Sequence, residues 1–315
     1  MMSGTKYANA VGAVRAMESS LLSRNDIDQL IAARTNADLK AMLASKKNTD
    51  TPQNTLQQVW DLIQNYAPDS EELKILLYRN DFHNLKAVIK AMIHNRDPKL
   101  YYIEPSNVSL DDLKEAVSKK EYGILPVYMR ETAAQAYELV TETLDGQLSD
   151  MLIDKACLEA MCKSADELGN SFMQEYAQLI TSCADIKTAY RSCLMKKTLP
   201  FIEKALCGCG KLDKEDLARA AAEGTDALFA HLENTSFSDG AALLKSSPAQ
   251  FEKWCDDIIT EHAETARMMA FGIEPLAAYF IAKEAEIKDI RILTVCKESG
   301  TDNETITERM RKLYV

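Results

Sequence analysis

Glycine and proline are scarce in this chain, at 11 and 8 of 315 residues. Valine-rich alternating runs are missing, so the usual sign of half-buried strands is absent. Histidine occurs only four times, and basic residues never cluster beyond the doublets Lys46-Lys47, Lys119-Lys120 and Lys196-Lys197. No stretch of about 18 apolar residues exists, which excludes a membrane-spanning helix. Lys6, Arg15 and Glu18 interrupt any apolar run near the start, so no secretory signal is expected. A net charge of −11 argues against a general nucleic-acid binder, which needs a basic face, and against direct binding of anionic lipid heads. What is plentiful is Ala, Leu, Glu, Lys and Met, residues that lose little rotamer freedom in a helix. The composition predicts an all-α fold, and the length allows two or three domains or one long repeat assembly.

Catalytic constellations are equally absent. There is no phosphate loop, no dinucleotide fingerprint and no Gly-x-Ser-x-Gly elbow. The histidines at 83, 94, 231 and 262 form no His-Glu-x-x-His, and none follows a Glu by three residues as helical di-iron sites require. The eight cysteines are expected to be reduced, and most stand among apolar helical neighbours as small hydrophobes. Cys207-Gly208-Cys209-Gly210 is the exception. It reads as a loop, and one Cys-x-Cys without a second pair or a nearby His is a poor zinc site. No cofactor and no metal are expected.

Helical stripes and breakers divide the chain. Tyr7, Val11, Val14, Met17, Leu21 and Leu22 mark a first helix. Asn25-Asp26 reads as the break and cap before Ile27, Leu30 and Ile31, and Thr35 or Asn36 as the cap before Leu39 and Leu43. A polar loop from Lys46 to Pro52 precedes a helix through Trp60 and Tyr66, which Pro68-Asp69-Ser70 stops. A long helix is then predicted over Glu71–His94, ended by Pro98. Ser109 reads as the cap of a short helix. Gly146 with Ser149-Asp150 reads as a turn before a helix over Asp150–Lys163. Further long helices are predicted over Phe172–Lys197 and Leu276–Lys297, with Gly240 and Pro248 as separators before the last. Leu212–Leu217 and the segment after Asp302-Asn303 read as short capped helices.

The three long helices carry related triplets: Asn84-Leu85-Lys86, Asp185-Ile186-Lys187 and Asp289-Ile290-Arg291. They stand 101 and 104 residues apart. A long period with matching surroundings predicts internal repeats. We divide the chain into helical repeats at 1–120, 121–222 and 223–315, packed as one body. Two readings of the triplets stand. In one, the aliphatic residue enters the core and its polar neighbours bond nearby helices or backbone. In the other, Lys86, Lys187 and Arg291 share a partner-binding surface. His83 adjoins the first triplet, but Ala184 and Lys288 take its place in the others, so a cofactor role is not expected there.

At these residues the chain resembles the C subunits of archaeal and bacterial V-type (A-type) ATPases, the equivalent of the d subunit of the eukaryotic vacuolar enzyme. The likeness is carried by Lys283-Glu284-Ala285-Glu286-Ile287-Lys288-Asp289-Ile290-Arg291, then Lys297, Gly300 and the closing Tyr314-Val315. Tyr7, Arg15-Ala16-Met17-Glu18, Leu21-Leu22 and Asp81-Phe82-His83-Asn84-Leu85-Lys86 match as well. Asp289 stands where the family usually has Asn, and Cys296 where it has Gly. The resemblance spans essentially the whole chain. It implies three pseudo-threefold-related helical bundles forming a funnel-like body that performs no chemistry. It further implies a cytoplasmic place on the proteolipid ring of a rotary ATPase, peripheral to the membrane, with the central shaft subunits seated in it. The alternative is a freestanding helical-repeat scaffold, which would bind an unrelated protein and leave ion pumping intact when deleted.

Overall fold

The computed structural model of the chain describes residues 7–46, 52–67, 71–143 and 145–315. Every regular element among them is helical, with no strand. The polar loop expected before Pro52 and the Pro68-Asp69-Ser70 stop lie outside the described residues. The chain divides into two compact units, one joining residues up to Glu71 to Gly240–Val315, the other Glu72–Asp239.

The first unit holds α1 (Ala8–Glu18), α2 (Arg24–Ile31), α3 (Asn36–Ser45) and α4 (Pro52–Tyr66). Between α1 and α2 the cap is Ser23, not Asn25-Asp26. The Ser23 hydroxyl accepts from the Asp26 N–H while Asp26 accepts from the Ser23 N–H, so Asp26 completes a capping box from inside the first turn. Thr35 and Asp38 close an identical box on α3.

The second unit holds α5 (Tyr78–Ile93), α6 (Leu110–Lys119), α7 (Val127–Thr143), α8 (Gly146–Leu168), α9 (Ser171–Leu194), α10 (Leu199–Ala205), α11 (Lys214–Glu223) and α12 (Thr225–Leu232). The helix expected from Glu71 starts as a 3-10 stretch, Glu71–Leu77, and becomes α-helical only at Tyr78. Gly146 does not make a turn. Asp145 caps α8 by accepting from Gln147 N and Leu148 N, which draws Gly146 and Ser149 into the helix. Gly169, at φ +67°, ends α8, and Asn170 caps α9. Helices α7, α8 and α9 pack side by side, with α5 laid on α8 and α11 on α9. Phe82, Leu85, Val88, Met161, Tyr176 and Ile186 are buried between them. Burying each such side chain contributes about 1.5–3 kcal/mol.

The chain then runs through α13 (Ser238–Ser246) into α14 (Pro248–Glu264), α15 (Glu274–Glu298) and α16 (Asn303–Arg309). Helix α15 is the axis of the first unit, with α1, α3, α4 and α14 packed on it. Leu293 and Cys296 of α15 enter one core with Leu30, Leu39, Ile306 and Met310. Gly240 is not a separator but a contact inside α13: a Cβ there would fall 2.5 Å from Cζ3 of Trp254 on α14. Gly240→Ala is therefore expected to lower unfolding free energy by about 1–3 kcal/mol, because overpacking outweighs the roughly 1 kcal/mol gain in helix propensity. Urea denaturation followed by tryptophan fluorescence measures this. An unchanged midpoint would mean the indole ring gives way freely.

Candidate functional site

The first residue of each triplet is buried, and each holds a segment of backbone further along the chain. Asn84 on α5 donates from Nδ2 to the Ile103 carbonyl at 2.9 Å and accepts from the Ile103 N–H at 2.8 Å. Asp185 on α9 accepts from the N–H groups of Cys207 and Gly208 at 2.8 and 2.9 Å. Asp289 on α15 accepts from the Arg311 N–H at 3.1 Å. The clamped residues lie 19, 22 and 22 positions downstream of their anchors. A helix exposes no free main-chain groups along its side, so a loop laid against it must find side-chain partners for its own. A small acid or amide projecting from an otherwise apolar face supplies them.

The short helix expected after each triplet is present, capped by Ser109, Asp213 and Asp302, which accept from the N–H groups of Asp112, Asp216 and Thr305. The third instance departs in order. Arg311 follows its short helix α16, whereas Ile103 and Cys207 precede α6 and α11.

The middle residues Leu85 and Ile186 are fully buried, and Ile290 is packed against the α2–α3 core. The bases sit on three different long helices. Lys86 is half-buried, its Nζ 2.6 Å from Asp154 Oδ1 on α8. Lys187 is half-buried and Arg291 exposed, and neither side chain has a hydrogen bond or ion pair among the described residues. The exposed side of α5 forms one wall of a groove of about 360 Å³ whose lining includes His83, Lys86, Lys90, His94, Arg96 and Tyr101. Lys90 is matched there by Asp150 of α8 at 2.6 Å.

Other motif residues prove to be clamps as well. Asp81 is fully buried one turn before Asn84 and accepts four hydrogen bonds: Ser106 Oγ at 2.7 Å, Asn107 N at 2.7 Å, Asn107 Nδ2 at 2.8 Å and Tyr128 Oη at 2.7 Å. Burial pushes its carboxyl above the usual carboxylate range, and the four donors offset part of that rise. Arg15 pairs with Glu18 and donates to the carbonyls of Ala266 and Met269 at 2.7 and 3.0 Å. Tyr314 donates to Glu18 at 3.1 Å, so the motif near the start and the one near the end meet. Lys297 donates to the Ile31 and Ala33 carbonyls, which satisfies the end of α2.

Sequence reasoning does not single out Asp81, Arg15 or Lys297 as anchors. The available signal for Asp81 is a carboxylate within the apolar stripe of Leu77, Phe82, Leu85 and Val88. Among the described residues, no group of three or more His, Cys, Asp and Glu side chains is placed to hold a metal.

Asp185→Ala is expected to lower unfolding free energy by about 2–4 kcal/mol, since one buried and one half-buried N–H group lose a charged acceptor. Urea denaturation measures the loss, and hydrogen exchange should show faster opening at the Cys207 and Gly208 amides. A loss below about 1 kcal/mol would mean water replaces the carboxylate.

Carboxylates and amides that hold loops against long packed helices define a helical structural protein. The model of the family described as ATP synthase (C/AC39) subunit matches residues 10–309, and the chain belongs to that family. It is similar to the C subunit of the V-type sodium ATPase of Enterococcus hirae, 25% identical over 96% of this chain and 97% of that protein. It is also similar to the C subunit of the A-type ATP synthase of Thermococcus kodakarensis, 22% identical over 96% of this chain and 90% of that protein. With the C subunit of the V-type ATP synthase of Thermus thermophilus it shares 24% identity over 71% of this chain and 69% of that protein. Proteins of this family are non-catalytic subunits of rotary V/A-type ATPases, so the chain is a structural subunit whose partners are other subunits of such a complex. No helix among the described residues is long and apolar enough to cross a membrane.

Proposed function

We propose that the chain is the central-stalk socket of the rotor, coupling the shaft subunits to the membrane proteolipid ring during ATP-driven ion transport or ATP synthesis. The observation that carries this reading is the repeated clamp. The same triplet anchors a downstream segment from each of the three long helices. That recurrence supports three helical repeats, at 1–120, 121–222 and 223–315, arranged as pseudo-threefold bundles in a funnel-like body. A torque adaptor must present loops that do not yield under load, and clamped loops on packed helices meet that need. Relatives named for sodium transport and for ATP synthesis fit a part that serves either direction of coupling.

Purified full-length chain should bind the shaft subunits and the detergent-solubilised ring, and should hydrolyse no ATP. Failure to bind either partner overturns the proposal. Lys86, Lys187 and Arg291 are proposed as cationic contacts to these partners. Their simultaneous reversal to Glu should weaken binding at least tenfold while leaving the melting temperature within a few degrees. An exposed pair such as Lys86–Asp154 is worth only about 0–1 kcal/mol. Global unfolding instead would assign the three bases to holding the fold.

A further inference from the structure

The backbone of the loop Cys207-Gly208-Cys209-Gly210 is clamped by Asp185, but its two thiols have no part in the function above. We propose that Cys207 and Cys209 form a reversible oxidative modification site, closing an intrachain disulfide with hydrogen peroxide as the oxidant. Their sulfurs stand 2.9 Å apart in the reduced protein. A disulfide spans about 2.05 Å, so closure brings them less than about 1 Å nearer.

The loop is held ready for that closure. Gly208 takes φ +79°, a conformation an L side chain rarely adopts, and turns the chain between the two cysteines. Asp185 fixes the N–H groups of Cys207 and Gly208 from one side. One turn earlier on the same helix, Ser182 Oγ accepts from Lys211 N at 2.8 Å, and Gly210 lies so close to Ser182 that a Cβ would fall 2.5 Å from that oxygen. Cys209 is half-buried and Cys207 buried, so Cys209 is the more accessible residue of the pair and takes the oxidant first.

Cys162 on α8 is the competing thiol. Its sulfur is engaged with the Cys209 carbonyl and the Thr181 hydroxyl, each at 3.3 Å, and hydrogen bonding from Cys209 lowers its pKa, but it is buried where Cys209 is not. Hydrogen bonds from Cys209 to the sulfurs of Cys162 and Cys207 keep the Cys209 proton on and push its pKa up. The first oxidation is therefore slow and needs peroxide in excess.

In the first step Cys209 loses its proton and its sulfur takes one oxygen from hydrogen peroxide. The O–O bond breaks, and a sulfenic acid and one water result. Cys207 sulfur then displaces the sulfenic oxygen as a second water, and the S–S bond forms. Two thiols lose two electrons and two protons; the peroxide is reduced to two waters.

Both cysteines fall in one tryptic peptide, Ala205–Lys211, because Lys204 and Lys211 flank it. After peroxide treatment of the folded chain and alkylation, that peptide should be unalkylated and about 2 Da lighter, and dithiothreitol should restore it. Cys207→Ser and Cys209→Ser should each abolish the loss, with circular dichroism confirming an unchanged fold. A disulfide to the Cys162 peptide in the wild-type chain would overturn the assignment. So would oxygen addition at Cys209 without disulfide, or a peptide that stays reduced while other cysteines oxidise.

Discussion

Glu286→Ala is expected to lower unfolding free energy by about 3–5 kcal/mol, the usual effect of removing one partner from a buried ion pair. Glu286 and Lys283 face each other one turn apart on α15 with side chains 4% exposed each, and their charged atoms are in direct contact. The second carboxylate oxygen accepts from the Leu22 N–H at 2.6 Å, in the link between α1 and α2. Truncation would leave an uncompensated ammonium in the core and an unpaired N–H at the link. Urea denaturation of the full-length chain measures the loss, and the Leu22 amide should exchange faster. Replacing both residues by methionine should recover most of it, because the residual cost is then one unpaired N–H rather than a buried charge. A loss below about 1 kcal/mol for the single variant would mean that water enters and solvates Lys283.

Asp289→Asn is expected to act in the opposite direction. Burial pushes the Asp289 carboxyl up from 3.8 to about 6, and the Arg311 N–H and guanidinium offset only part of the rise. Its Oδ2 is buried with no hydrogen-bond partner among the described residues. A folded-state pKa above the unfolded value means the folded chain holds the proton more tightly. The associated stability is full below pH 3.8 and is lost as pH rises through about 6. A shift of about two units corresponds to on the order of 3 kcal/mol at neutral pH. The amide keeps an acceptor for the Arg311 N–H and carries no charge. Asp289→Asn should therefore gain about 1–3 kcal/mol at pH 7 and converge with the wild type near pH 4. Thermal melts across that range would show it, and parallel curves would overturn the argument. Asp81 and Asp185 are also raised by burial, so the variant should keep a weaker dependence of the same sign.

The helical plan is legible in the residues. Ser109, Thr35 and Asp302 read as caps and are caps, because a cap is a hydrogen bond reaching only three residues along the chain. Pro248 reads as a separator and stands at the start of α14. Gly240 and Gly146 mislead for one reason: a glycine inside a helix looks like a terminator until its neighbour is known. Trp254 needs the room beside Gly240, and Asp145 starts α8 one residue before Gly146. For the triplets, sequence offers two readings and cannot choose between them. Hydrogen bonds assign Asn84, Asp185 and Asp289 to anchoring backbone, which is the first of the two readings for the polar residue that leads each triplet.

The sequence by itself determined that the chain is helical, where most helices start and stop, and that one triplet recurs three times. These depend on propensity, capping and periodicity, which act within a turn or two. Only the tertiary structure decided what the polar motif residues do. Arg15 meets Met269 across 254 residues, Glu286 meets Leu22 across 264, and Tyr314 meets Glu18 across 296. No local pattern encodes such pairings. They follow from a chain whose two ends fold into one unit around α15, where each buried polar group must take whichever partner that packing brings within reach.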